Sequence, residues 1–144
     1  MISREELKKI LKKHHFSDKQ IERILNKRIN TLLALGKAEE IEKILEVLEK
    51  KGIQKKTIEN CLSVLALGKS EEIEKILDII EKRGIQRETI ENCLTVLALG
   101  KAEEIEKILE ALEKKGIQKK TIENCLTVLG QMNLGGDAAD QVVR

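Results

Sequence analysis

The sequence predicts an all-α protein, an α-solenoid of tandem 32-residue helix hairpins that follows a divergent basic N-terminal cap. Three nearly identical blocks run in tandem: block one is Lys37–Gly68, block two Lys69–Gly100 and block three Lys101–Met132. Charged residues make up 36 % of the chain and hydrophobic ones 41 %, with no Pro, Trp or Tyr and one Phe, which is a helix-rich composition. Such internal repetition is typical of arrays in which each repeat packs on its neighbours.

Each block contains two apolar stripes with helical spacing. In block one, apolar residues recur at i, i+3, i+4 and i+7 from Ile41 and again from Ile58. Between the stripes lies Gly52, after two lysines, which predicts a basic last turn and a left-handed C′ glycine; Gly84 and Gly116 are its counterparts. The glycines that end the second helices are Gly36, Gly68 and Gly100. We therefore expect two helices of roughly 12–15 residues per block, too short to be stable without neighbours.

The amino-terminal segment departs from the repeat. Ser3 with Glu6, and Ser17 with Gln20, have the spacing of capping boxes, and Phe16 precedes the second box as a hydrophobic staple residue. Five extra residues follow, before an ending shared with the blocks. The predicted organisation is capping helices at 1–36, three repeats at 37–132 and a flexible tail at 133–144.

One stretch carries a family resemblance. FSDKQIERILNKRINTLLALGKAEEIEKILEVLEKKGI (Phe16–Ile53) resembles a motif of the mitochondrial transcription termination factor (mTERF) family, with Ile29 or Asn30 where that motif has proline. This resemblance implies an α-solenoid that binds nucleic acid along a basic path. The start FSDKQI is also similar to transcription activator-like effector repeats. Those vary at two adjacent readout positions, and no two adjacent positions both differ in all three blocks.

Basic residues are concentrated in the cap and at the turns between helices. Residues 1–36 hold nine Lys or Arg against four acids, whereas the blocks are close to neutral. Acids early and bases late in a helix complement the helix dipole. The pattern is therefore also explained by charged helix faces that meet only solvent, without a ligand. Under the functional interpretation, stacked turns form a basic edge that meets phosphates. Its candidate nucleic-acid-binding residues are Lys27, Arg28, Lys50, Lys51, Lys55, Lys56, Lys82, Arg83, Arg87, Lys114, Lys115, Lys119 and Lys120.

A second polar row consists of Asn60, Asn92 and Asn124, one in each block, in the predicted middle of the second helix. Asparagine is a poor helix former, so its recurrence indicates either a groove-lining role or a packing ladder between blocks. The cysteines Cys61, Cys93 and Cys125 recur on the apolar stripe and are expected to be core thiols. Neither they nor the adjacent His14 and His15 have metal-ligand or catalytic spacing.

These observations favour a binding module that is not an enzyme and needs no metal or cofactor. Nucleic acid bound through the basic edge is the leading prediction. The alternative is a protein-interaction scaffold, natural or an engineered consensus array, that holds a peptide or helix in its groove. We expect no membrane partner and no small-molecule substrate. The start MISREELKK lacks the apolar core of a secretory signal, which predicts a soluble, cytoplasmic protein.

Overall fold

The computed structural model describes residues 1–95 and 100–124, and the regular elements in these ranges are helices. They are α1 (Arg4–Lys13), α2 (Asp18–Leu25), α3 (Asn30–Leu35), α4 (Ala38–Lys50), α5 (Lys55–Glu59), α6 (Leu62–Leu67), α7 (Ser70–Lys82), α8 (Arg87–Asn92) and α9 (Ala102–Lys114). Residues 119–124 are also helical. None of the helices described has the length and apolarity needed to cross a membrane. The tail predicted at 133–144 lies outside the described residues.

The chain forms two compact units, Met1–Ser70 and Glu71–Arg144. In the first unit α1 packs against α4, α2 against α5 and α3 against α6, and α4 and α6 also meet. Each of the three pairs joins a helix of the cap to its counterpart in block one. The cap therefore stacks on block one helix by helix, despite its different sequence.

The predicted helix starts of the cap are present. The Glu6 backbone N–H donates to Ser3 Oγ (3.1 Å), and the Ser3 N–H donates to Glu6 Oε1 (3.4 Å). The Gln20 N–H donates to Ser17 Oγ (3.1 Å), and the Ser17 N–H donates to Gln20 Oε1 (2.8 Å). Both predicted capping boxes are therefore confirmed.

The turn after each first helix is also as predicted. Gly52, Gly84 and Gly116 have φ of 75°, 71° and 76°, the left-handed conformation that glycine adopts without a Cβ clash. In the cap the same position is held by His15, with φ of 67°. A side chain in this conformation costs about 1–2 kcal/mol, so the cap carries local strain that the blocks lack.

The second helices of blocks one and two are where the prediction is wrong. Instead of one continuous helix, block one has α5 and α6, separated at Asn60 and Cys61. The Asn60 N–H donates to Thr57 O and the Cys61 N–H to Ile58 O, which closes α5 with a tight turn. In block two α8 likewise ends at Asn92. Asparagine competes poorly for the helical conformation, and here it stands at the break rather than in mid-helix.

The core follows the apolar stripes. Ile41, Ile44 and Leu45 are fully buried in α4, and Ile58 and Leu65 continue this core from α5 and α6. Cys61 and Cys93 are buried thiols, as expected, whereas Cys125 lies outside the described residues. The second apolar stripe therefore stays on the core side even though its helix is broken.

Carboxylates also satisfy backbone N–H groups at two helix starts. The Ser70 N–H, at the start of α7, donates to Glu40 Oε1 (2.6 Å), and in the second unit the Ala102 N–H donates to Glu72 Oε2 (3.0 Å). The Ser70 hydrogen bond lowers the pKa of Glu40. Each of these glutamates therefore accepts a hydrogen bond from a backbone donor at a helix start.

Candidate nucleic-acid interface

The candidate cations lie at the turns that follow the long helices, as the sequence indicated. We call these groups the basic turns. The turn after α4 contributes Lys50, Lys51, Lys55 and Lys56; the turn after α7 contributes Lys82, Arg83 and Arg87; the turn after α9 contributes Lys114, Lys115, Lys119 and Lys120. Most of them are exposed, and Lys51, Lys55 and Arg83 are half-buried.

In the second unit, two of these cations bind the protein itself. The guanidinium of Arg83 pairs with Glu113 of α9 and lies 3.9 Å from Glu110 Oε1. The Lys119 ammonium donates to the Gly84 carbonyl oxygen (3.0 Å), at the turn after α7. These two side chains tie the turns of blocks two and three together. Their main role is to hold neighbouring turns in place.

The cap and block one are joined in a related way. Lys55 Nζ lies 5.6 Å from the centroid of the Phe16 ring, within cation–π range. His14, buried at the end of α1, places Nδ1 3.1 Å from Glu49 Oε1 of α4. His14 and Glu49 correspond in the repeat to Arg83 and Glu113, so the same link recurs with a different side chain.

Lys27 and Arg28, the cap residues expected to contact phosphate, have different surroundings. The Lys27 ammonium donates to the Glu59 carbonyl oxygen (2.9 Å) and to Asn60 Oδ1 (3.3 Å), at the carboxyl end of α5. A cation at that position satisfies terminal carbonyl groups and interacts favourably with the negative end of the helix dipole. Arg28 is exposed. The structure therefore gives Lys27 a helix-capping role, and only Arg28 of the two points its charge to solvent without a described contact.

Glu59 is a residue that the sequence analysis missed. Its side chain is buried, and Arg23 of α2 donates to it from Nε (2.9 Å) and from a terminal nitrogen (3.4 Å). These hydrogen bonds, and then the charge of Glu59, raise the pKa of Arg23. At the same position of block three, Glu123 accepts from the Gln86 N–H (2.9 Å) and from Thr89 Oγ1 (3.4 Å). The only sequence signal was that each of these glutamates directly follows a stripe isoleucine.

The asparagine row is exposed. Asn60 is the C-cap of α5, Asn92 is the last residue of α8, and Asn124 lies in the helical segment 119–124. Asn60 accepts a hydrogen bond from the cap, which fits a contact between neighbouring repeats. A groove-lining role for the row stays a prediction.

The structure also bears on whether the protein could bind a metal ion. Within residues 1–95 and 100–124, no three His, Cys, Asp or Glu side chains are grouped closely enough to hold a metal ion. The arrangement instead offers repeated ammonium and guanidinium groups on short turns. Such groups attract polyanions through charge, whatever the sequence of bases.

Comparison with known proteins agrees with this reading. The family model described as mTERF matches residues 9–137, most of the chain, so the match extends well beyond the stretch that carried the resemblance. No curated protein and no solved structure matches the chain. mTERF repeats form helical solenoids, and with the all-helical described residues this confirms the predicted fold class. The chain therefore belongs to the mTERF family, whose members are generally nucleic-acid-binding, non-enzymatic helical-repeat proteins.

Proposed function

We propose that this protein binds nucleic acid through the phosphate backbone, and that the basic turns supply the contacts. The observation that carries the proposal is the recurrence of exposed cations at the same turn of successive blocks. Family membership supports the ligand class. The turns supply the charge, and the long helices hold them at repeated positions.

Several cations of the second unit are available for this role. Arg83 and Lys119 are engaged by α9 and by the turn after α7, respectively. The others are exposed and form no hydrogen bond or ion pair among the described residues: Lys82, Arg87, Lys114, Lys115 and Lys120. If each neutralises one phosphate, log K falls against log salt with a slope of about −4 to −5.

The near-identity of the blocks argues for binding that does not depend on base sequence. A base-reading array needs different side chains at the readout position of each repeat. Here the exposed row offers asparagine in every block, at Asn60, Asn92 and Asn124. Identical groups cannot distinguish different bases along a strand. We therefore expect comparable affinity for unrelated sequences.

The test is fluorescence anisotropy with labelled random duplex DNA, single-stranded DNA and RNA, between ~50 and ~200 mM salt. Changing Lys114, Lys115 and Lys120 to Gln is expected to reduce the steepness of the salt dependence by about 2–3. The matched control changes Lys43, Lys75 and Lys107 to Gln, which removes the same charge from exposed positions on the long helices. Equal losses in both triple variants would assign the effect to net charge and refute the role of the basic turns.

Two further points separate this proposal from its alternatives. A protein-interaction scaffold would give pull-down partners that survive high salt, and no affinity for any nucleic acid at ~50 mM salt. Members of the family are typically organellar, whereas the sequence analysis predicted a cytoplasmic location, which stays a prediction. Imaging of a tagged full chain would decide the location.

A further inference from the structure

A small cavity lies beside the basic turn of block two, within the second unit. Its volume is about 280 Å³. The floor is apolar and the rim is charged. The floor residues are Ile85, Leu109, Ile117 and Ile122, and the rim residues are Lys82, Arg83, Lys119 and Glu113. Because the rim has three cations and one acid, it carries excess positive charge above the apolar floor.

At the corresponding position of the first unit the chain itself supplies an aromatic side chain beside a lysine. Phe16 stands at the repeat position of Ile85, and Lys55 at that of Lys119. The phenyl ring is buried, with the Lys55 ammonium 5.6 Å from its centroid. Ile53, at the position of Ile117, is only 6 % exposed there.

In the second unit the smaller side chain leaves the site open. Ile85 lacks a ring, and Ile117 is 38 % exposed, against 6 % for its counterpart Ile53. A cavity of roughly 150 Å³ with apolar walls is already large enough to bind benzene. The volume at block two is therefore large enough for a substituted ring.

We propose that this cavity binds a small aromatic anion. The ring occupies the position that Phe16 occupies in the first unit, on the isoleucine floor. Lys119 lies at the rim as Lys55 does over Phe16, and it interacts with the face of the ring. The anionic group meets Lys82, because Arg83 is already paired with Glu113.

This site is separate from phosphate-backbone binding by the basic turns, although it shares part of their charge. Backbone binding needs only exposed cations, whereas the cavity also needs its apolar floor. A change to the floor alone therefore tests the cavity and leaves the basic turns intact. A failure to bind nucleic acid would not refute the cavity proposal, and a failure to bind the aromatic anion would not refute nucleic-acid binding.

The experiment is a titration of the full chain with phenyl phosphate, followed by methyl NMR of the isoleucines. We expect the largest shifts at Ile85, Ile117 and Ile122, and an affinity at least tenfold above that of either phenol or inorganic phosphate. Ile85→Phe, which places a phenyl ring where the first unit has Phe16, should weaken binding at least tenfold. Unchanged affinity in a folded Ile85→Phe variant, or shifts confined to other isoleucines, would overturn the proposal.

Two further variants keep the test decisive if Ile85→Phe does not fold. Lys82→Gln should weaken phenyl phosphate several-fold while phenol binds as before, because Lys82 meets only the anionic group. Lys119→Gln should weaken phenyl phosphate and phenol alike, because Lys119 interacts with the ring. Equal weakening of the two ligands by Lys82→Gln, or no weakening by either variant, would count against the proposed geometry. The matched control is Lys107→Gln, an exposed lysine of α9 outside the cavity lining.

Discussion

Three isoleucines at one repeat position give the sharpest test of the structure. Ile44, Ile76 and Ile108 have the same sequence neighbours, KILE in two blocks and KILD in the other. Ile44 and Ile76 are 0 % exposed, whereas Ile108 is 59 % exposed. Substitution by alanine should therefore have very different effects on stability at positions that the sequence alone would treat as equal.

The magnitudes follow from the burial. Removing a fully buried isoleucine side chain to alanine loses transfer free energy and leaves a cavity, which together cost about 2–5 kcal/mol. Full burial of an isoleucine gives about 1.5–3 kcal/mol, and Ile108 retains less than half of that burial, so its change should cost about 1 kcal/mol or less. Ile76→Ala and Ile108→Ala form the matched pair, because both lie in the second unit.

Urea denaturation followed by far-UV circular dichroism is the appropriate assay, since the chain has no Trp or Tyr to report by fluorescence. The midpoint should fall clearly for Ile44→Ala and Ile76→Ala and only slightly for Ile108→Ala. Ile76→Val provides the graded control, at about 0.5–1.5 kcal/mol. Equal losses for Ile76→Ala and Ile108→Ala would refute the reasoning, because they would place Ile108 in a closed core.

Three other changes have defined outcomes. Glu40→Gln should flatten the loss of stability on acidification. The pKa of Glu40 is lowered in the folded state, so its contribution to stability is present above the unfolded pKa and is lost as pH falls through the folded pKa. Melting temperatures of the variant that stay parallel to those of wild type from pH 6 to 3 would contradict this expectation. His15→Gly should raise stability by about 0.5–1 kcal/mol in urea, since relief of the left-handed strain exceeds the added chain entropy; a loss would argue against strain at φ 67°. Glu88→Lys should tighten nucleic-acid binding and steepen the salt slope by about one, because it gives block two the lysine that Lys56 provides in block one. Unchanged anisotropy titrations would exclude this turn from the interface.

The candidate interface was only partly predictable. The positions of the basic turns followed from the glycines and helix stripes, because both signals act within a few residues of the chain. The distinction between Lys27, which caps α5, and exposed Arg28 did not follow, since it depends on a partner more than thirty residues away. The pairing of Glu59 with Arg23 is non-local for the same reason.

The sequence by itself determined the repeat, the helix starts at Ser3 and Ser17, the left-handed glycines and the buried stripe from Ile41. These features depend on backbone conformation and on the spacing of neighbouring residues. Only the tertiary structure decided where the second helix breaks and which copy of a repeated residue is exposed. Burial of a side chain depends on what packs against it from elsewhere in the fold. Identical residues such as Ile76 and Ile108 therefore differ in environment although their local sequences agree.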